Sequence, residues 1–226
     1  MSKFQLHRAL RSETHNGYLH YLIHQPPGFA EEPRPLLLFL HGADQRGDDL
    51  QRITECALPA AIERGRNVPF VTISPQCPED RWWGDLTVDL MEMLDGLDDD
   101  LHVDPRRVYL TGISMGGYGA WKLAAEHPDA FAALVPISAG GEDAWVPALR
   151  NLPTWAFHGD RDTVVDIEQS RRMLRALTEL GAPAKLTELP GAGHECWDQV
   201  YDDPAVFDWL LGQHRPDGSL TPFTRA

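Results

Sequence analysis

Cysteine is scarce in this sequence. The three cysteines, Cys56, Cys77 and Cys196, form no C-x-x-C pair and no even set. Paired spacings signal a zinc site or the disulfide framework of a small secreted domain, so the cysteines predict neither. The composition instead favours reduced thiols in a cytoplasmic protein.

Long apolar runs are also missing. A helix needs roughly 20 consecutive apolar residues to cross a bilayer, and no stretch of this sequence approaches that length. Residues 1–8 lack the apolar region that defines a secretory signal. We therefore expect no membrane segment and no secretion signal.

Positive charge is the third shortage. Lysine and arginine number 20 against 34 aspartates and glutamates, which gives a formal net charge of −14. A surface with this excess repels the phosphates of nucleic acids and the headgroups of anionic membranes. We therefore expect a small-molecule partner rather than a nucleic acid or a membrane. The composition leaves the oligomeric state open, with a homodimer as one alternative.

Histidine is plentiful by comparison, with ten residues. His20 and His24 lie four residues apart, but in a segment that predicts a strand and without the glutamate that the zinc motif H-E-x-x-H requires. We expect no metal centre and no cofactor.

The length and hydrophobic content suit one substantial core, since the chain has 226 residues and 42% of them are hydrophobic. Neither a flexible linker nor an internal repeat divides the chain. We therefore expect a single domain over residues 1–226.

Short apolar runs alternate with segments of helical spacing. Strands are predicted over residues 18–24, 36–40, 70–74, 108–110, 131–137, 155–158 and 185–189, and helices over 86–97, 118–127, 166–180 and 204–211. This alternation is typical of an α/β fold, with a mostly parallel central sheet and helices on both faces. In such sheets, the chemistry gathers beyond the carboxyl ends of the strands.

The strand predicted at 108–110 leads into the pentapeptide G-I-S-M-G at residues 112–116. This G-x-S-x-G pattern predicts a sharp strand-to-helix turn that exposes Ser114 as a nucleophile, because only glycine fits against the strand and helix backbones at the flanking positions. In a chain of this length the pattern arises by chance about once in thirteen cases. Taken alone, it leaves a glycine-rich turn without chemistry as an alternative.

Two later strand ends supply the partners that a nucleophilic serine needs. Asp162 follows the strand at 155–158, and His194 follows the strand at 185–189. An imidazole takes the serine proton and returns it to the leaving group, and a carboxylate fixes and stabilises that imidazole. The order Ser114, Asp162, His194 is the order expected for this kind of sheet.

Each partner has an alternative interpretation. Asp162 could cap the following helix, and His194 could be a solvated loop histidine. Asp160 is a rival acid that we interpret as a turn-forming residue, and Asp143 is a weaker rival. We expect His41 and His158 to brace their loops rather than to take part in chemistry.

The negative charge that develops on an attacked carbonyl needs hydrogen-bond donors. One is expected from the main-chain N–H of Met115, the residue after the nucleophile. The other is expected from the loop after the strand at 36–40, where we choose the N–H of Ala43.

The chain resembles the α/β-hydrolase superfamily. It is most similar to the compact carboxylesterase/phospholipase group, which includes dienelactone hydrolases, acyl-protein thioesterases and "predicted peptidase" esterases. The resemblance extends from residue 18 to residue 211. It is carried by L-H-G-A at 40–43, S-P-Q-C-P at 74–78, G-I-S-M-G-G at 112–117, H-G-D-R-D at 158–162 with Val165, and G-H-E-C-W at 193–197.

This resemblance implies the α/β-hydrolase fold and a carboxylesterase that works through an acyl-enzyme intermediate. The chain departs from the family pattern in three places. Asp44 stands where relatives often have glycine, Asp166 stands where they often have proline, and dienelactone hydrolases carry cysteine at the position of Ser114. Lactone specificity is therefore not implied. Acyl-thioesterase, lysophospholipase or small-peptidase activity and a non-catalytic ligand-binding role are the alternatives.

Aromatic residues near the strand ends are candidates for the walls of a substrate pocket, although tryptophan is more often a core residue. These candidates are Trp83, Tyr118, Trp145 and Trp197. The segment 140–152, where related enzymes insert large lids, is short. We therefore expect no large lid and an open site for small or flexible esters.

Overall fold

The computed structural model describes residues 6–12, 14, 17–27, 32–97 and 101–215, and this part of the chain forms eight strands and seven α-helices. The strands are β1 (Leu6–Arg11), β2 (Tyr18–His24), β3 (Arg34–Leu40), β4 (Val71–Pro75), β5 (Val103–Ile113), β6 (Ala133–Ile137), β7 (Thr154–Gly159) and β8 (Ala184–Leu189). The helices are α1 (Gln51–Thr54), α2 (Ala57–Glu63), α3 (Thr87–Asp95), α4 (Met115–Glu126), α5 (Glu168–Glu179), α6 (Trp197–Asp202) and α7 (Pro204–Leu211).

The strands form one sheet in the order β1-β2-β4-β3-β5-β6-β7-β8. Strand β2 pairs antiparallel with β1 and β4, and all pairs from β4 to β8 are parallel. The predicted mostly parallel sheet is therefore confirmed. Its parallel strands bring the loops after β3, β5, β7 and β8 to a single edge.

The central strand β3 is buried on both faces, as its unbroken apolar sequence predicts. Leu36, Leu38 and Leu40 belong to a core that also contains residues of α3, α4 and α5. Leu37 and Phe39 point the other way, into a core shared with α1, α2, α6 and α7. Because successive side chains of a strand face opposite sides, helices pack on both faces of the sheet, which confirms that prediction.

Some elements differ from the sequence-based expectation. Helix α4 begins at Met115, three residues before the predicted start, since its glycines fit a first turn that packs directly on neighbouring backbone. Strand β1 and helices α1, α2 and α6 were not predicted. Strand β1 lies at the sheet edge, and α1 and α6 have only four and six residues, too few to show a helical period.

The connection from β6 to β7 contains one short 3-10 helix, Asp143–Trp145, and no inserted subdomain. The expected absence of a large lid at this position therefore agrees with the structure. Among the described residues, no helix has both the length and the apolar character required to span a bilayer.

Candidate active site

Ser114 lies at the sharp turn between β5 and α4. Its backbone has φ 50° and ψ −120°, a left-handed conformation that a residue with a side chain rarely adopts. The flanking glycines permit the turn. A Cβ at Gly112 would overlap the carbonyl of Gly116, and a Cβ at Gly116 would overlap the carbonyl of Leu40. The N–H of Ser114 donates to Ile137 O at 2.9 Å, which ties the turn to β6.

Three side chains from three strand ends form a continuous hydrogen-bonded chain. His194 Nε2 lies 2.9 Å from Ser114 Oγ, and His194 Nδ1 lies 2.8 Å from Asp162 Oδ2. Because a carboxylate only accepts, Nδ1 carries the ring proton and Nε2 is free to accept from the serine hydroxyl. The side chain of Asp162 is fully buried, whereas that of His194 is 15% exposed. The structure thus brings together the three residues that the sequence singled out.

The carboxylate of Asp162 is satisfied at both oxygens. Its Oδ1 accepts from the N–H groups of Val164 (2.8 Å) and Val165 (2.9 Å). Burial alone raises the pKa of Asp162, but the hydrogen bonds from His194 and from these two N–H groups outweigh it, so the net pKa falls below its ordinary value. Asp162 is thus held ionised and pointing at His194, while it also caps the local turn.

The two rival acids lie elsewhere. Asp160 Oδ1 accepts from the N–H of Gly191 at 2.7 Å, so it braces a turn, as its sequence context suggested. Asp143 is largely exposed and lies 3.4 Å from Arg172 Nε. Neither is hydrogen bonded to His194.

The candidate oxyanion donors are the first residues of two helices that lie against each other. Met115 is the first residue of α4, and Ala43 is the first residue of the 3-10 helix Ala43–Gln45. The first N–H groups of a helix have no partner within it, so neither N–H is used by its own helix. The backbone of Gly116 packs on the carbonyls of Leu40 and His41, which brings the two segments together.

The loop that carries Ala43 is anchored by a buried, neutral histidine. His41 Nδ1 donates to Gly42 O at 2.6 Å, and its Nε2 accepts from the N–H of Cys77 at 3.0 Å. Burial lowers the pKa of His41 to about 4, so the ring stays uncharged at neutral pH. His41 therefore braces its loop, as expected.

The prediction that Trp83 lines the substrate pocket was wrong. Its side chain is 0% exposed, and its Nε1 donates to His41 O at 2.9 Å. The ring packs edge-on against the His41 ring with centroids 4.9 Å apart, and it fills the space that a side chain at Gly119 would need. Trp83 is therefore a core residue, and its hydrogen bond to His41 O holds the loop of Ala43 in place. The ring fits there because Gly119 on α4 has no side chain.

Replacing Trp83 with phenylalanine should lower the free energy of unfolding by about 1–3 kcal/mol, because the buried carbonyl of His41 loses its donor. Urea denaturation measures this change. The matched control is Trp82→Phe, since Trp82 is 56% exposed and should change stability by less than about 0.5 kcal/mol. Equal effects of the two substitutions would contradict the bracing role of Trp83.

The three other predicted pocket residues lie on three separate elements. Trp197 packs edge-on against the His194 ring at 5.6 Å between centroids. Tyr118 lies half-buried in the first turns of α4, and Trp145 lies half-buried at the end of the 3-10 helix after β6. Their contact with substrate stays a prediction.

Ser138, which the sequence analysis did not single out, supports the histidine loop. Ser138, buried and with φ 51°, donates from Oγ to His194 O at 2.9 Å. The same oxygen lies 3.2 Å from Cys196 Sγ. The sequence did carry a signal for Ser138, because it directly follows the buried strand β6 and the other groups of the site also follow strands.

A cleft of about 460 Å³ opens beside the histidine loop and the loop of Ala43. Its lining is mostly charged or polar: Asp44, Gln45, Arg52, Glu55, Cys56, Ala57, Arg64, Glu195, Trp197 and Asp198. Arg64 and Asp198 approach each other at 3.8 Å. Within the described ranges, no three histidine, cysteine or acidic side chains are placed to hold a metal ion.

Comparison with known proteins identifies a family for this chain. Residues 12–197 match the family described as "Putative esterase". The chain is 32% identical over 155 residues to "Putative esterase NocK" of Nocardia uniformis subsp. tsuyamanensis, covering 63% of this chain and 44% of that protein. It is 29% identical over 154 residues to poly(3-hydroxyalkanoate) depolymerase C of Paucimonas lemoignei, covering 62% and 36%.

A solved structure of a thermostable esterase superposes with a TM-score of 0.82 at 27% identity, covering 94% of this chain and 64% of that one. The chain spans less than half the length of the two curated relatives. The matched segment contains the loop of Ala43 together with Ser114, Asp162 and His194. The predicted superfamily is confirmed: the chain belongs to the esterase family of the α/β-hydrolase fold.

Proposed function

We propose that this protein is a serine esterase that hydrolyses carboxylic esters through an acyl-enzyme intermediate. The observation that carries the proposal is the continuous hydrogen-bonded chain from Ser114 through His194 to Asp162. A serine hydroxyl is a weak nucleophile at neutral pH, and a base within hydrogen-bonding distance is what activates it. The esterase family membership supports the same reaction class.

In the first half of the reaction, Ser114 Oγ attacks the ester carbonyl while His194 Nε2 takes the hydroxyl proton. The imidazolium that forms is stabilised by the buried carboxylate of Asp162. His194 then gives the proton to the departing alcohol, which leaves the acyl group on Ser114. In the second half, His194 takes a proton from water, the resulting attack releases the acid, and the serine regains its proton.

The tetrahedral intermediates carry negative charge on the former carbonyl oxygen. We assign the N–H groups of Met115 and Ala43 as the donors that stabilise it. Their positions at the starts of two helical segments favour this role, because N–H groups there have no internal partner. Loss of one such donor typically costs about 3–4 kcal/mol of transition-state stabilisation.

We further propose that the acyl chain of the substrate extends from Ser114 into the cleft beside the histidine loop, whose polar lining would favour small or hydrophilic esters over long acyl chains. Six of its lining side chains are charged, and burying a charged group under an alkyl chain costs free energy unless the charge is paired. Thioesters, lysophospholipids and small peptides are the competing substrates for the same machinery.

The purified protein should hydrolyse p-nitrophenyl acetate and react with a fluorophosphonate, with the adduct on the peptide that contains Ser114. Acyl thioesters and p-nitroanilides assayed in parallel distinguish the competing substrates. Neither turnover nor labelling would be seen if the chain were a non-catalytic ligand-binding protein.

For substrate length, we expect kcat/KM for p-nitrophenyl decanoate to be at least about ten-fold below that for the acetate. In an apolar pocket, each buried methylene would contribute about 0.8 kcal/mol in favour of the longer ester. Replacing the ion pair of the cleft by two leucines (Arg64→Leu with Asp198→Leu) should reduce the ratio of kcat/KM between the acetate and the decanoate. The surface variant Arg175→Leu is the control and should leave it unchanged. A preference for the decanoate in the unmodified protein would refute the polar-cleft argument.

A further inference from the structure

We propose that His158 is a buried imidazolium ion that shares the carboxylate of Asp162 with His194 and thereby extends activity to lower pH. The inference rests on the proposed function, because it assigns His158 a positioning role towards the proposed base. It departs from the expectation that His158 only braces its loop.

The first observation is that two histidines contact one carboxylate oxygen. His158, in β7, is fully buried, and its Nε2 lies 3.1 Å from Asp162 Oδ2. The same oxygen accepts from His194 Nδ1 at 2.8 Å. The two ring nitrogens are therefore about 6 Å apart or less, with the acid between them.

The second observation is the identity of the partners of His158 Nε2. This nitrogen lies 2.9 Å from the carbonyl oxygen of Val165 as well as beside Asp162 Oδ2. A carbonyl and an ionised carboxylate only accept hydrogen bonds. Nε2 must therefore carry a proton.

The third observation concerns the other ring nitrogen. His158 Nδ1 lies 2.7 Å from Ser170 Oγ, and Ser170 Oγ in turn lies 2.7 Å from the carbonyl oxygen of Ala139. The single hydroxyl proton of Ser170 is needed between Oγ and Ala139 O, since two oxygens at that distance without a proton repel each other. Ser170 Oγ is then an acceptor for His158, and Nδ1 also carries a proton.

A neutral His158 would leave one of these close contacts without a proton. In a buried site such an unsatisfied contact is costly, whereas a charge paired with Asp162 is tolerated. Geometry thus favours the doubly protonated ring.

The charges around His158 are compatible with a cation. Asp162 faces it from its own loop, with His194 beyond. On the neighbouring strand β8, Glu188 is the register partner of His158, and Arg171 of α5 binds Glu188 at 2.7 and 2.8 Å. The buried Cys196 thiol, whose pKa is raised chiefly by burial, is uncharged.

The effect on the proposed base has a definite sign. A fixed cation beside Asp162 opposes the protonation of His194, so the base remains neutral, and competent, to lower pH. Removing the charge of His158 should therefore move the acidic limb of the pH–rate profile to higher pH. At about 6 Å and an effective dielectric constant of about 20, the shift is on the order of two pH units.

The direct test is nitrogen NMR of the histidine rings in the full-length protein at pH 7. Long-range ¹⁵N–¹H correlation reports whether each ring nitrogen carries a proton, and the His158→Gln spectrum assigns the signals. We expect protons on both nitrogens of His158. A single protonated nitrogen would overturn the proposal.

The kinetic test compares pH profiles of kcat/KM for p-nitrophenyl acetate. His158→Gln keeps a donor near Asp162 without the charge, and Ser170→Ala removes the acceptor that holds the Nδ1 proton. Both should shift the acidic limb upward, whereas the control Arg175→Gln, which removes a surface cation of α5, should not. A lower rate with an unmoved limb in both variants would show a purely structural role and overturn the proposal.

The two readouts separate failure of this inference from failure of the proposed function. The NMR signature of His158 does not require turnover. If ester hydrolysis proved independent of Ser114, the proposed function would fail while the protonation state of His158 would still be measured. Ser170→Ala also keeps the kinetic test decisive if His158→Gln does not fold.

Discussion

Ser114→Ala should abolish ester hydrolysis, with a fall in kcat on the order of 10⁴-fold to 10⁶-fold. The substitution removes the atom that forms the acyl-enzyme, while His194 and Asp162 keep their places. Labelling by a fluorophosphonate should disappear as well. Steady-state hydrolysis of p-nitrophenyl acetate and intact-protein mass measure the two effects.

A matched control removes a hydroxyl far from the site. Thr178 lies on the exposed side of α5, where its Oγ1 donates to Leu174 O within the helix. Thr178→Ala should therefore retain full activity and labelling. If Ser114→Ala kept turnover at the level of this control, the assignment of the nucleophile would be wrong.

Asp162→Asn should lower kcat by about 10³-fold to 10⁴-fold. An asparagine amide can donate to the imidazole, which would place the ring proton on Nε2 and block acceptance from Ser114. The serine and the oxyanion donors remain, so fluorophosphonate labelling should slow rather than vanish. Hydrolysis rates from neutral to alkaline pH measure the loss.

The matched control is Asp160→Asn. Asp160 lies two residues away and only accepts from the N–H of Gly191, and the asparagine oxygen can still do so. Its activity should stay within a few-fold of the unmodified protein. If Asp160→Asn lost more activity than Asp162→Asn, Asp160 rather than Asp162 would be the carboxylate that pairs with His194.

Much of the fold could be predicted from hydrophobic pattern alone. The apolar run of β3 indicated burial on both faces, and Leu38 and Phe39 do lie in cores on opposite sides of the sheet. The short elements α1 and α6 could not be predicted, because fewer than two turns carry no usable period. Their positions are decided by packing against the sheet rather than by local sequence.

The candidate site also contains features that the sequence predicted and features that it could not predict. The order of Ser114, Asp162 and His194 along the chain, with each at a strand end, predicted a convergence that the structure places within hydrogen-bonding distance. The burial of Trp83 could not be predicted, since it depends on Gly119 from a helix more than thirty residues later. The contact of one Asp162 oxygen with both His158 and His194 could not be predicted either, because a motif shows spacing but not which nitrogen faces which oxygen.

The left-handed backbone at Ser114 has a consequence for the evolution and engineering of this protein. A non-glycine residue in such a conformation costs about 1–3 kcal/mol, and the cost falls on the folded state whether or not an ester is bound. Glycine would adopt the same turn without that penalty. Selection for heat resistance alone would therefore favour replacement of Ser114 by glycine. Keeping the serine lowers the stability of the fold and preserves the nucleophile.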